Sequence, residues 1–275
     1  MDRQKFSVAM SVYGKDNPIW FKTAVDSILN QTMPPDEVVL VVDGPVPEEL
    51  SQVICGYEQR SDFNAVWLPE NRGLGYALKT AVAECGHDII ARMDSDDIAV
   101  PTRFAEQLRL FSENADLDVV GGDISEFVGE EDNVVAYRRV PKTDIEIKNY
   151  LKKRCPMNHV AVMFRKSAVQ AAGGYLDLFW NEDYYLWIRM AERDAVMANT
   201  GTVLVNVRTG KDMYSRRGGR RYFQSELFLQ NYMLKRKMIS LPTYVDNVAK
   251  RWIVQRLLPN KLRGWVFRTL ARKES

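Results

Sequence analysis

Cysteine, long apolar runs, glycine and proline are all scarce in this chain of 275 residues, and each scarcity excludes a class of protein. The three cysteines, Cys55, Cys85 and Cys155, lie far apart with no C-x-x-C pair. That spacing excludes a zinc knuckle and a disulfide framework, and leaves the thiols as small buried hydrophobes. No stretch approaches the roughly 18 uninterrupted apolar residues of a spanning helix, and MDRQKFSVAM offers no apolar core for a signal peptide, so the expected location is the cytosol. With 16 glycines and 11 prolines the chain is not collagenous, linker-like or of low complexity. What is present is ordinary globular material, 46% apolar and 27% charged, long enough to bury a sizeable core in one large α/β domain or two small ones.

The net charge of +2 conceals a strong division. Residues 1–210 hold 22 lysines and arginines against 32 acids, a balance of −10. The remaining 16 of 38 basic and 4 of 36 acidic residues give +12 to residues 211–275. A basic tail on an acidic body points to an anionic surface or ligand for the tail alone: membrane, nucleic acid or phosphate.

Short β-branched runs alternate with helical stretches through the first half, the pattern of a mostly parallel sheet covered by helices. Phe6–Tyr13, Glu37–Asp43, Asn64–Leu68 and Asp88–Met93 read as strands, with helical segments at 20–31, 47–60 and 74–85 between them. Because ligands bind beyond the carboxyl ends of strands in such sheets, Ser11–Asp16, Asp43-Gly44 and Asp94–Asp97 are expected on one edge. A helix at Thr102–Asn114 precedes a hairpin of Asp118–Val128 and Val134–Arg139 around the acidic turn Gly129–Asn133, which makes the sheet mixed. A helix at Thr143–Lys153, a strand at Ala161–Arg165, a Gly173-Gly174 break, a helix opening near Glu182 and a last strand at Val203–Val207 complete a body of residues 1–210. Residues 211–275 read as a basic helical extension, divided near its end by Pro259. Leu262, Trp265, Val266, Thr269 and Leu270 gather on one side of a helical wheel, a mix suited to an interfacial membrane helix although Phe267 and Lys273 blur it.

The sharpest chemical feature is Arg92-Met93-Asp94-Ser95-Asp96-Asp97, three carboxylates in four residues after a buried strand. Such crowding is costly without a cation, and oxygen ligands of this kind suit Mg²⁺ or Mn²⁺ bridging to substrate phosphates. The alternative is a solvated acidic loop capping the helix near Pro101, with Asp97 as the cap. Asn71-Arg72-Gly73-Leu74-Gly75 supplies a tight glycine loop and free N–H groups at a helix start, without forming a Rossmann fingerprint. Four arginines around Gly218-Gly219, including Arg216 and Arg217, suit either a loop closing over pyrophosphate or a solvated turn. His159, one of two histidines, is either a satisfied structural residue or a contact to diphosphate or acceptor.

The segments MSVYGKD, VVDGP, ENRGLGYALKTAV, ARMDSDD, NHVAVMFRK and NEDYYLWIRM, in this order, resemble the family 2 glycosyltransferases of GT-A fold. The likeness covers roughly residues 5–210 and is nearest the bacterial exopolysaccharide and O-antigen type, such as the amylovoran biosynthesis transferases. It implies a nucleotide site at Ser11, Tyr13, Asp43, Arg72, Asp94 and Ser95. Tyr13 would lie against uracil, where an aromatic can stack on the base, and Asp43 would accept the uracil N3–H, favouring UDP-sugars. Either could instead be structural, Tyr13 as a core aromatic and Asp43 as part of a turn with Gly44 and Pro45. By the same likeness Asp96 coordinates Mn²⁺ or Mg²⁺ on the UDP diphosphate, and Asp94 meets the ribose, or the metal through water. Glu182-Asp183 matches the pair beneath the acceptor, with Asp183 as the base of an inverting transferase and Glu182 positioning the acceptor; as first-turn helix acids the two could also simply favour the dipole.

The implied acceptor is an undecaprenyl-diphosphate-linked oligosaccharide at the cytoplasmic membrane face, with the tail on the anionic leaflet. Because the Q-x-x-R-W motif of processive members is absent, single-sugar addition is expected. A sugar nucleotidyltransferase would need a glycine-rich basic loop where MSVYGKD stands, and a non-catalytic sugar-nucleotide-binding subunit would not need Asp94, Asp96 and Asp183. The acidic body would repel nucleic acid, for which no recognition motif is visible.

Overall fold

The computed structural model describes residues 4–210 and 219–257. The chain opens with β1 (Phe6–Tyr13), α1 (Pro18–Leu29), β2 (Glu37–Asp43), α2 (Glu48–Tyr57), β3 (Phe63–Trp67), α3 (Leu74–Glu84) and β4 (Ile89–Met93). The β-branched runs become parallel strands in the order β3-β2-β1-β4. Every residue of β4 is buried, as are all of β2 after Glu37. Helices cover both faces, which is why these strands read as continuous apolar runs rather than alternating ones. Local signals start the helices: Asn17 caps α1 by accepting the N–H groups of Ile19 and Trp20, and Pro18 fills the first position, where no N–H is needed.

The second half adds β5 (Ile98–Ala99), α4 (Arg103–Glu113), β6 (Leu117–Phe127), β7 (Val134–Arg138), α5 (Asp144–Leu151), a 3₁₀ turn at His159–Ala161, β8 (Met163–Arg165), α6 (Lys166–Ala171), α7 (Glu182–Ala191) and β9 (Val196–Arg208). The sheet runs β3-β2-β1-β4-β8-β6-β9-β5, with β7 hung on β6 as the hairpin expected from its acidic turn. Antiparallel β8 between β4 and β6 makes the sheet mixed. The expected strand at Ala161–Arg165 is shorter, because the 3₁₀ turn occupies its start. The last strand begins at Val196 rather than Val203, since β9 follows β6 through register shifts around Gly121–Ile124.

Two apolar layers flank the sheet. Val8, Met10 and Val12 of β1 face one layer with α1, α2 and α4, while Ala9, Val39 and Val41 face the other with α3, α5 and α7. The period-2 alternation of a strand divides its side chains in this way. The chain continues as α8 (Arg220–Lys235), α9 (Leu241–Trp252) and a π-helical turn at Ile253–Leu257. Leu229, Met233 and Ile239 join the second layer, so α8 packs on the same core as α7. The thiols divide: Cys85 is buried as expected, whereas Cys155 is half-buried and Cys55 is exposed on α2, a correction to its reading as a core residue. The expected break at Pro259 and the apolar side formed by Leu262–Leu270 lie outside the described residues.

Candidate active site

Tyr13 stands opposite Asp43 in the β1–β2 register, and Met10 stands opposite Met93 between β1 and β4. Three strands therefore finish on one edge, where an open α/β sheet forms its ligand crevice. Tyr13 is 42% exposed, which gives it a ring face open to a ligand and removes the core-aromatic reading. Ser11 is half-buried within β1. Asp43 is 4% exposed, and its two carboxylate oxygens accept the backbone N–H groups of Arg72 at 2.7 Å and Gly73 at 2.9 Å. Asn71 Nδ2 adds a bond to the Asp43 carbonyl at 3.1 Å. The two loops approach this closely because residue 44 is glycine at φ 85°; a Cβ there would stand 2.5 Å from the Asn71 nitrogen. Asp43 thus anchors the loop that opens α3, and the Arg72 guanidinium beyond it lies 3.8 Å from the Tyr76 ring centroid.

The acidic loop after β4 distributes its carboxylates among distinct partners. Asp94 is held by both terminal nitrogens of Arg92, one at 2.6 Å, and the guanidinium is buried within the sheet. Asp97 is buried and accepts the Arg208 N–H at 2.8 Å, while burial and the charges of Asp96 and Asp94 push its carboxyl well above the usual range. Ser95 donates to Asp16 at 2.9 Å, and burial raises Asp16 too. Asp96 is pushed up to about 6 by burial and by the charges of Asp94 and Asp16, with only the Arg92 charge and its own backbone N–H opposing. Unlike Asp97, which is buried and bonded to the Arg208 N–H, Asp96 is half-buried and so can reach a cation.

The charge of Arg92 also reaches the start of α7. Burial, helped by the Asp183 and Asp177 charges, pushes Glu182 up to about 7. Asp183 accepts the Tyr184 N–H at 2.7 Å and lies 3.7 Å from the Cys155 sulfur. Burial and that carboxylate push the Cys155 thiol up to about 12, so it stays neutral beside Asp183. Trp180, which precedes the pair, is half-exposed and holds a left-handed backbone at φ 58°, an uncommon conformation for a bulky residue. His159 Nε2 bonds the Tyr175 hydroxyl at 2.8 Å, with the Trp187 ring against it at 6.2 Å between centroids. Burial, with the Arg92 charge, lowers the histidine well below its ordinary value, which favours a neutral ring oriented by Tyr175.

The structure therefore gathers Tyr13, Asp43, Arg72, Asp94, Ser95 and Asp96 at the sheet edge. Glu182 and Asp183 act electrostatically on the same neighbourhood, since the Arg92 charge reaches Asp94, Asp96 and Glu182. Arg216 and Arg217 lie outside the described residues. Sequence reasoning placed Asp16 on this edge and Arg92 beside the acidic loop without giving either a role, and it missed Tyr175. The spacing of Arg92 and Asp94 was a signal, because residues two apart on an extended segment share a face. Among the described residues no group of three or more His, Cys, Asp or Glu side chains is placed to hold a metal ion. Asp96 instead offers a hard, crowded oxygen donor, which fits a divalent cation bound through one carboxylate plus substrate phosphates.

A mixed α/β sheet with strand-end carboxylates at its crevice is the arrangement of a glycosyltransferase of GT-A fold, and that is the class to which this protein belongs. More narrowly, the family model described as glycosyl transferase family 2 matches residues 7–171. The chain belongs to that family. It is 35% identical over 272 residues to the UDP-Gal:alpha-D-GlcNAc-diphosphoundecaprenol beta-1,3-galactosyltransferase of Escherichia coli, covering 99% of this chain and 98% of that one. It is 37% identical over 230 residues to the amylovoran biosynthesis glycosyltransferase AmsE of Erwinia amylovora, covering 84% and 85% of the two chains. Among solved structures, S. aureus TarS 1-349 in complex with UDP-GlcNAc shares the fold at a TM-score of 0.68 and 14% identity, over 91% of this chain and 73% of that one.

Proposed function

We propose that this glycosyltransferase is an inverting, cation-dependent enzyme of bacterial surface polysaccharide biosynthesis, moving one hexose from a UDP-sugar to a glycan carried on a lipid diphosphate. The observation that carries the reading is the charge of buried Arg92, which acts both on Asp96 beyond β4 and on Glu182 at the start of α7, two carboxyls pushed up toward neutrality. The carboxylates divide into a donor side and an acceptor side. On the donor side Tyr13 presents its ring to the uracil, Asp43 holds the Arg72–Gly73 backbone and meets the base edge, and Ser11, Ser95 and Asp94 line the nucleoside. Asp96 would hold Mn²⁺ or Mg²⁺ together with the diphosphate. When bound, the cation neutralises charge that accumulates on the UDP leaving group.

On the acceptor side Asp183 takes the proton of the acceptor hydroxyl as its oxygen attacks the anomeric carbon from the face opposite UDP. The glycosidic bond to UDP breaks, the new bond forms with inversion, and UDP leaves with the bonding electron pair. Glu182, close to half protonated at neutral pH, can donate a hydrogen bond that orients the acceptor. The 35% identity to an enzyme named for a diphosphoundecaprenol acceptor supports a lipid-linked acceptor for this chain and makes UDP-galactose the first donor to try. Such an acceptor would hold the protein peripherally at the cytoplasmic membrane face. Among the described residues no helix is long and apolar enough to cross a membrane.

The test is thermal unfolding of wild type and Asp96→Ala with UDP, GDP, dTDP and a UDP-sugar panel, each with Mn²⁺ or EDTA. Ligand at about 100 times its Kd stabilises by roughly 2.7 kcal/mol. A UDP-selective, metal-dependent shift that Asp96→Ala abolishes is the expected result. Preference for GDP would overturn the role of Asp43, preference for dTDP would overturn the UDP-sugar donor while leaving that role intact because thymine carries the same N3–H, and no response to any nucleotide would overturn the donor-site reading.

A further inference from the structure

Helix α9 is amphipathic with its polarity reversed relative to the protein it packs on. A surface helix ordinarily turns its apolar stripe to the core. Here the inward side is polar: Asn247, 3% exposed, donates to the Lys152 carbonyl and to Gln230 Oε1, each at 2.9 Å. Arg251 donates through Nε to Glu226 at 2.5 Å and through Nη2 to the Lys153 carbonyl at 2.8 Å, and the Tyr244 hydroxyl donates to Asn231 at 2.8 Å. The outward side carries Leu241, Val245, Ala249 and Trp252, at the four- and three-residue spacings of one helical face. Leu241 is 61% exposed, Val245 56% and Trp252 48%, and Ile253 beyond the helix is 47% exposed.

Exposed cations border this face. Lys235 ends α8, Arg236, paired with Glu192 at 3.1 Å, and Lys237 follow it in the turn, and Lys250 and Arg256 lie toward the far end. Residues 219–257 contain eight lysines and arginines, while Glu226 and Asp246 are their only acids. Glu226 is consumed by Arg251, and Asp246 pairs with Lys250 at 2.7 Å. An outward stripe of aliphatic side chains with one tryptophan, rimmed by lysine and arginine, matches the chemistry of an anionic bilayer interface, where apolar groups enter the acyl boundary and cations meet headgroup phosphates.

We propose that the outward face of α9 docks the protein in plane on an anionic leaflet. The inference rests on the reading of a lipid-linked acceptor, and it assigns the contact to a face of α9 rather than to the C-terminal residues beyond it. Adjacent residues of α8 connect this face to the chemistry: Ser225 accepts a hydrogen bond from Asn181, the residue capping α7, at 2.8 Å, while Glu226 holds Arg251 of α9. A docked α9 therefore holds the Glu182–Asp183 end of α7 in fixed relation to the leaflet, where a lipid diphosphate would present its glycan.

The experiment is flotation of the full chain with phosphatidylglycerol–phosphatidylethanolamine vesicles and with phosphatidylcholine vesicles, for wild type, the double variant L241E/V245E and the double variant K235E/K237E. Wild type should prefer the anionic vesicles, L241E/V245E should partition about tenfold less or weaker still, and K235E/K237E should lose the preference mainly at low salt. UDP-sugar binding, read by thermal shift, should be the same in all three. Undiminished binding by L241E/V245E would overturn the proposal, because residues beyond α9 would then carry the contact. A wild type that ignores vesicles would overturn it too, whether light scattering finds a dimer, with a second copy covering the face, or a monomer. If vesicles are bound but no nucleotide is, the UDP-sugar donor reading fails while the docking face stands.

Discussion

Asp96→Asn should make the metal-free protein more stable while abolishing transfer. Asp96 is pushed from the ordinary 3.8 to about 6, first by burial and then by the Asp94 and Asp16 charges. A carboxyl raised on folding binds protons more tightly in the native state, so stability is lost as pH climbs from about 4 to 6 and the full penalty is present above that range. Taken at face value the displacement is worth about 3 kcal/mol, and solvent screening of this half-buried side chain reduces it to roughly 1–2 kcal/mol. Asparagine keeps the shape and removes the charge. In a chain of this size each kcal/mol moves Tm by about 2–4 °C, so the variant should melt roughly 2–8 °C higher at pH 7.5 in EDTA. The gain should fall to about half at pH 5, where the native carboxyl is already mostly protonated. Saturating Mn²⁺ with UDP should reverse the order by stabilising wild type alone. A variant that melts at or below wild type in EDTA at pH 7.5 would show that like charges do not strain Asp96, and the case for a cation there would lose its support.

Asp183→Asn should lower kcat by about 10²–10⁴ with UDP affinity unchanged, as removal of a general base does; single-turnover kinetics check it. Glu182→Gln should retain much of kcat but flatten the pH dependence of acceptor KM, which in wild type should rise as Glu182 ionises above about 7. Arg251→Ala strands the buried Glu226 carboxylate and should cost about 3–5 kcal/mol, whereas the paired change E226L/R251M should recover most of it; thermal unfolding of both separates lost packing from an uncompensated charge. Asp43→Ala should destabilise the ligand-free protein by about 1–3 kcal/mol through the orphaned Arg72 and Gly73 N–H groups, besides weakening UDP binding. A residue that met only the base would leave ligand-free stability untouched.

The parallel half of the fold was legible because its strands are buried on both faces and its helices have local starts, Asn17 and Pro18 among them. β9 was read short because its first residues, Val196–Asn199, gain strand character from pairing with β6, and Gly201, at φ 78°, interrupts the pattern between its halves. The six residues of α6 are too few for a helical period to show. In α9 the amphipathic spacing can be read from the sequence, but its sense cannot: that depends on Lys152, Lys153, Glu226 and Gln230, residues remote in the chain that hold its polar side inward.

The same limit governs the acidic loop. Asp94, Asp96 and Asp97 are chemically alike, and nothing local says which of them is satisfied by the protein and which awaits a ligand. Long-range partners decide. Arg92, held inside the sheet by β4, takes Asp94 with two nitrogens, and Arg208, delivered by the end of β9, gives its backbone N–H to Asp97. Asp96 is left with burial and like charge against it. Swapping these partners should therefore move the ligand-dependent carboxylate: Arg92→Met would free Asp94 to compete for the cation, and Mn²⁺ affinity measured with UDP should then fall further on Asp94→Asn in that background than in wild type, where Asp94 only lines the nucleoside. An equal loss in both backgrounds would mean that the Arg92 pair opens when substrate binds.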